Sequence, residues 1–241
     1  MDTTGAACPH GIGLPSGSAA LPSAPLSYNL ATLQTTGLPN NMCILKGFPS
    51  TPNKTATTLS YPFGIWFADA NTLYVADEGD GYTGGPDLYT HAAAQTTAGL
   101  QKWVFNSSSQ TWGLAYTPQT GLNLGVPYTI SGYPTGNNSA TGLPWAPATA
   151  GLRNITGRVD DDGKVTIWAI TATVSGNGDV GADPNRLVAI TDWLSNTDPA
   201  MALSERFHTI RHAGYGEVLR GVTFTPETDL AKRESRDDSD Q

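Results

Sequence analysis

Positive charge is scarce in this chain. Of 241 residues only 13 are Lys or Arg, against 21 Asp or Glu, and the net charge is −8. A nucleic-acid binder needs a basic face to neutralise phosphates, so that class is excluded. Apolar runs are short, none approaching the ~18 residues of a membrane-spanning helix. Cys8 and Cys43 are the only cysteines, in neither CxxC nor zinc spacing. They are open to two readings, one disulfide in an exported protein or two free thiols. No GxSxG elbow, Cys–His nucleophile signature or EF-hand spacing is present. The Gly-rich stretch 82–86 opens no helix, which leaves phosphate cradling unsupported. Residues 1–20 have no basic start and no long apolar centre, so no signal peptide is recognisable there.

What is present is a turn-rich β composition. Gly, Thr, Ser, Asn and Ala are abundant and Lys is rare, a balance like that of exported bacterial β proteins, which points to a periplasmic or secreted location. The most informative stretch is 62–81, PFGIWFADANTLYVADEGDG. A strand at 64–68 is followed by the turn Asp69-Ala-Asn71, and a strand at 73–76 ends on Asp77. Further strands follow at 100–105 (LQKWVF) and 112–117 (WGLAYT), separated by a polar turn at 106–110.

The unit returns in weaker form. Residues 151–159 take the opening-strand position, Asp160–Gly163 the turn, 164–171 the second strand, 186–191 the third and 207–210 a poor fourth. A third opening strand is expected at 217–226. Four-stranded antiparallel units repeating in this way predict an all-β, propeller-like fold. The visible blades are too few for closure, which predicts an incomplete propeller prone to self-association through open blade edges.

The organisation follows from the repeat. Residues 1–60 read as a loop-rich segment with one strand at 42–47, and 61–117 as the first clear blade. A long connector at 118–150, full of Gly and Pro turn signals, is followed by a second blade at 151–212. In the connector, Tyr128, Tyr133 and Trp145 suit a pocket lining or a cover for a blade edge. One helix is expected, at 198–206, with Asp198 as N-cap and Pro199 in its first turn. Residues 230–241 read as a charged tail without apolar periodicity.

Two acidic loops are the candidates for chemistry. Asp77, Glu78 and Asp80 lie in the loop joining the second and third strands of the first blade. Asp179 and Asp183, with Asn177 and Asn185, lie in the equivalent loop of the second. Equivalent loops project from one rim, and together they supply the oxygen donors that Ca²⁺ requires. The same residues also fit ordinary turn chemistry. Asp160–Gly163 reads as a solvated hairpin turn. Of the histidines, His91 lies within the first acidic loop and is the candidate base. His208 and His212 share strand-like sequence rather than a helix face, and His10 lies in the N-terminal segment.

The rhythm G-I-W-x-x-D…L-Y-V-A-D at 64–77 resembles the calcium-dependent propeller lactonases, the gluconolactonase and paraoxonase-like group, and also the NHL-type propellers. The resemblance implies a Ca²⁺-dependent hydrolase opening a lactone or related ester, such as an acyl-homoserine lactone in quorum quenching. It assigns the ion and lactone opening to Asp77, with Asp77 or a histidine such as His91 helping to activate water. The alternative is a non-enzymatic exported propeller that binds protein or glycan.

Overall fold

The computed structural model describes residues 45–48, 60–179 and 181–225. Cys8, Cys43, His10 and the tail 230–241 lie outside them, as does most of the expected first strand; its described part, 45–47, runs into a turn. Among the described residues, eight strands form two four-stranded antiparallel sheets. The first contains β1 (Pro62–Phe67), β2 (Thr72–Asp77), β3 (Gly99–Asn106) and β4 (Thr111–Tyr116); the second contains β5 (Ala148–Val159), β6 (Lys164–Val174), β7 (Arg186–Trp193) and β8 (His208–His212). The strands lie in sequence order within each sheet, and neither sheet closes on itself. The chain is therefore mostly β, in the four-strand groups that the sequence repeat predicts.

The turns form where short polar side chains satisfy the backbone. Asp69 accepts the Asn71 N–H at 2.8 Å, and Asn106 accepts those of Ser108 and Ser109. At the β5–β6 hairpin the Asp160 N–H donates to the Lys164 carbonyl at 2.8 Å, and Asp162 accepts the Lys164 N–H. This is the solvated turn expected there. Alternation then sends side chains to opposite faces. Strand β2 is buried throughout, so it reads as a continuous apolar run. Tyr74 and Ala76 face the second sheet, packing with Leu100, Val165, Ile167, Val188, Ile190 and Phe207. Leu73 and Val75 face the other way, against Trp103 and Trp112, and Leu45 and Phe48 pack over them.

The sheets meet most closely at their opening strands, where glycine is required. A Cβ on Gly64 of β1 would fall inside van der Waals contact of the Arg153 carbonyl oxygen on β5, and one on Gly151 of β5 would strike the backbone of Asp77 and Glu78. Only a residue without a side chain allows this backbone approach.

Several expectations are corrected. Helix α1 (Leu88–Ala93) was not expected. Six residues are too few for a helical period to show. Burial of Leu88 and Ala92 against Ala148, Ala150 and Val174 stabilises the turn instead. Helix α2 (Pro199–Ala202) has the expected Asp198 cap, accepting the Ala200 N–H at 2.9 Å, and the expected Pro199. It stops at Ala202 because Met201 and Leu203 are exposed and no apolar face extends it. Residues 217–225 form no strand. The side chain of Asn185 bonds both the N–H and the carbonyl of Leu219, replacing a ladder partner, and Phe224 sets its ring edge-on against Trp168. Strand β8 runs two residues past the expected fourth strand and begins one later.

Candidate functional site

The two acidic loops do connect equivalent strand pairs, β2–β3 and β6–β7, and Arg153 of β5 reaches between them. Its Nε donates to Glu78 Oε2 at 2.9 Å, and its guanidinium passes close to Gly181 beside Asp179. The first loop carries α1, whose Tyr89 hydroxyl donates to the Ala146 carbonyl and feels the charge of Asp183. The loops thus occupy one rim.

Within that rim each candidate acid has partners. Asp77 is fully buried and accepts three hydrogen bonds, from the backbone N–H groups of Tyr61 and Gly79 and from Gln101 Nε2. Burial pushes its carboxyl up to about 7, against the opposing pull of the Gly79, Tyr61 and Gln101 hydrogen bonds. Asp80 Oδ1 closes the turn by accepting the Tyr82 N–H at 3.1 Å, and its Oδ2 lies 2.6 Å from His91 Nε2. Exposed Asp179 accepts the Gly181 N–H at 2.8 Å. Asp183 is buried, and its Oδ1 accepts from the Tyr133 hydroxyl and from Asn177 Nδ2. Its Oδ2 has no partner among the described residues.

The connector aromatics anchor onto the second loop. Tyr133 bonds Asp183, and the Tyr128 hydroxyl donates to the Pro184 carbonyl at 2.8 Å while its ring packs 3.7 Å from the Arg186 guanidinium. Burial raises both phenols well above the ordinary tyrosine range. Tyr128 and Tyr133 thus tie the connector to the loop that joins β6 and β7.

His91 projects from α1. Its ring stacks on Tyr82 with centroids 4.1 Å apart, and the Tyr82 hydroxyl donates to Asp87. Asp80 is almost wholly buried, with its side chain 3% exposed against 16% for His91. A carboxylate so placed fixes the orientation of the imidazole ring. His208 and His212 sit on β8, with no metal-binding group around them among the described residues.

A second charged cluster, between the sheets, carries no motif. Lys102 of β3 and Asp192 of β7 form a fully buried ion pair at 3.0 Å. Lys102 also donates to the carbonyls of Trp193 (2.7 Å) and Asn196 (2.5 Å) and lies 3.2 Å from the Tyr116 hydroxyl. Asp192 accepts from Tyr74 and Tyr116 and from the Trp193 N–H. Burial and the Asp192 charge drive both phenols far upward. The available signal is parity. Lys102 follows Leu100 on the inward face of β3, and Asp192 follows Val188 and Ile190 on that of β7.

A Ca²⁺ shell would need six to eight converging oxygens. Glu78 is engaged by Arg153, Asp80 by His91 and Asp77 by three donors. Among the described residues no group of three or more His, Cys, Asp or Glu is placed to hold a metal ion. No family model matches the sequence, and no curated protein or solved structure matches it.

Proposed function

We propose that the two sheets are adjoining blades of a β-propeller and that their loop rim hydrolyses a lactone or related ester, an acyl-homoserine lactone being one such substrate. The shared meander, the equivalent loops and the glycine-tight approach of β1 to β5 support the blade reading. One observation carries the chemistry, the 2.6 Å contact of Asp80 with His91.

With Nε2–H donating to Asp80, Nδ1 presents a lone pair. It takes a proton from water as the oxygen attacks the ester carbonyl, and Asp80 stabilises the imidazolium. The tetrahedral intermediate collapses with cleavage of the C–O bond. The imidazolium then returns its proton to the departing alkoxide, giving acid and alcohol. The resemblance implies calcium as well, for which Asp77, Glu78, Asp80, Asp179 and Asp183 would supply oxygen ligands; no step is routed through it.

A non-catalytic binding propeller is the second reading, favoured by the satisfaction of Asp77, Glu78 and Asp80 within the protein. The test is hydrolysis of a lactone and aryl-ester panel with EDTA or added calcium, comparing wild type with His91→Ala. Turnover that H91A removes supports the hydrolase. Turnover that EDTA stops and calcium restores returns the metal to the mechanism. No turnover by folded protein under either condition supports the binding reading.

A further inference from the structure

We propose that Asn177 is a site of spontaneous covalent modification. Its side-chain amide is lost as ammonia after attack by the Gly178 nitrogen, and the acid so formed loosens Asp183 from the connector that Tyr133 anchors.

The sequence supplies the pair. Asn177-Gly178 is the single Asn-Gly step of the chain, and every other asparagine is followed by a residue with a side chain. The reaction closes a five-membered ring, in which the backbone nitrogen of the following residue must reach the asparagine Cγ. A β-carbon on that following residue hinders the approach, and glycine has none.

The structure leaves the pair open to reaction. Gly178 is exposed at φ +82°, and a Cβ built on it would meet nothing within 4 Å. Its N–H reaches the Ser175 carbonyl at 3.3 Å, a long and weak bond that costs little to break. Asn177 Nδ2, the leaving atom, donates to Asp183 Oδ1 at 3.1 Å. As that nitrogen departs and takes up a proton, the buried Asp183 carboxylate stabilises the growing positive charge. Asn106 and Asn138, each followed by serine, are held differently. Asn106 Oδ1 accepts two backbone N–H groups, and Asn138 is tied at both ends, to the Ala140 N–H and the Gly176 carbonyl.

The reaction balances with water alone. The Gly178 N–Cγ bond forms and the Cγ–Nδ2 bond breaks, and Nδ2 leaves as ammonia with the proton that the Gly178 nitrogen gives up. Water then opens the cyclic imide, its hydroxyl going to one carbonyl carbon and its proton to the nitrogen. Opening at Cγ gives aspartate. Opening at the main-chain carbon gives isoaspartate, with the backbone routed through the former side chain.

Either product exchanges a donor for a negative charge. Among the described residues Asp183 Oδ1 accepts from Asn177 and Tyr133, and Oδ2 has no partner. After the reaction Tyr133 remains, while a second carboxylate faces the first and repels it. The ends of the loop stay pinned. Asn138 and Thr141 hold the Gly176 carbonyl, and Tyr128 holds that of Pro184. The release is therefore confined to Asp183 and the connector around Tyr133.

The test is to age the full chain at mildly alkaline pH and map its peptides by mass spectrometry, with enzymatic detection of isoaspartate. In folded wild type Asn177 should convert ahead of Asn106 and Asn138. Asn177→Gln, whose extra methylene disfavours ring closure, should not convert; Gly178→Ala replaces it if N177Q does not fold. The acidic form, separated by anion exchange, should lose about tenfold hydrogen-exchange protection at the Ala182 and Tyr133 amides, the scale of one lost bond to a charged group, while β6 is unchanged. Asn177 persisting in the folded protein as long as Asn106 and Asn138 do would overturn the proposal. So would an acidic form with wild-type protection at both amides.

Discussion

Replacing Lys102 with Met leaves the length and most of the volume of the side chain but removes the cation paired with Asp192 in the seam. Asp192 retains the Tyr74 and Tyr116 hydroxyls and the Trp193 N–H, whereas the Asn196 carbonyl loses its lysine donor and the Trp193 carbonyl loses its tie across the seam. Breaking a buried pair by removing one partner costs about 3–5 kcal/mol. The three remaining donors to Asp192 place K102M near the lower end of that range, a large part of the ~5–15 kcal/mol that holds an ordinary domain together. The assay is urea unfolding at about pH 7 followed by tryptophan fluorescence, since Trp103, Trp112 and Trp193 report on both sheets. Adding Asp192→Asn removes the stranded charge and keeps an acceptor for the tyrosines. The double variant should therefore lose less than the two singles combined, by a coupling of about 0.5–3 kcal/mol. A K102M midpoint equal to wild type, or strictly additive losses, would refute the view that the pair acts as a unit.

Asp77, held up to about 7 by burial, binds a proton in the fold that the unfolded chain gives up above about pH 4, so stability should fall across that interval. Asp77→Asn should flatten this part of a melting-temperature profile while lowering it throughout, since one donor then faces an amide, at about 1–3 kcal/mol. In the proposed hydrolase, His91→Ala should cut kcat by about 10²–10⁴ with an unchanged circular dichroism spectrum; undiminished kcat would remove His91 from the mechanism. Tyr133→Phe strips a donor from buried Asp183 and should expose the connector to proteolysis, with a loss of about 1–3 kcal/mol in denaturant. Gly151→Ala forces a Cβ into the backbone of Asp77 and Glu78; a melting temperature within a degree or two of wild type would contradict the close approach of the sheets.

Strand grouping is legible because its causes are local. The apolar run at 73–76, the alternation within 186–193, and the Asx turns at Asp69 and Asn106 are properties of a few adjacent residues. The rim is legible in part: the loops joining equivalent strand pairs bring Glu78 to Arg153 and set Gly181, beside Asp179, against the same guanidinium. The identity of each partner is not. Whether Asp80 meets an ion or His91 depends on α1, which exists because Leu88 finds Val174 and Ala148, residues distant in sequence. The segment 217–225 has a strand-like composition, but Asn185 takes the backbone groups of Leu219 that a ladder would use. The Lys102–Asp192 pair is visible only as polar residues at core parity; nothing local says that they face each other.

The buried lysine and aspartate also bear on the chain before it is folded. Each sheet is a local meander that can assemble from near neighbours, while the seam joins residues far apart in sequence and must form later. Until then each sheet displays its inner face to water: Tyr74, Ala76 and Leu100 on one, Val165, Ile167, Val188 and Ile190 on the other. A buried charge lies within each of these surfaces, Lys102 in the first and Asp192 in the second. An inward-pointing charge discourages a naked sheet from stacking on the wrong neighbour. Opposite signs make the correct neighbour the one surface on which both charges are relieved.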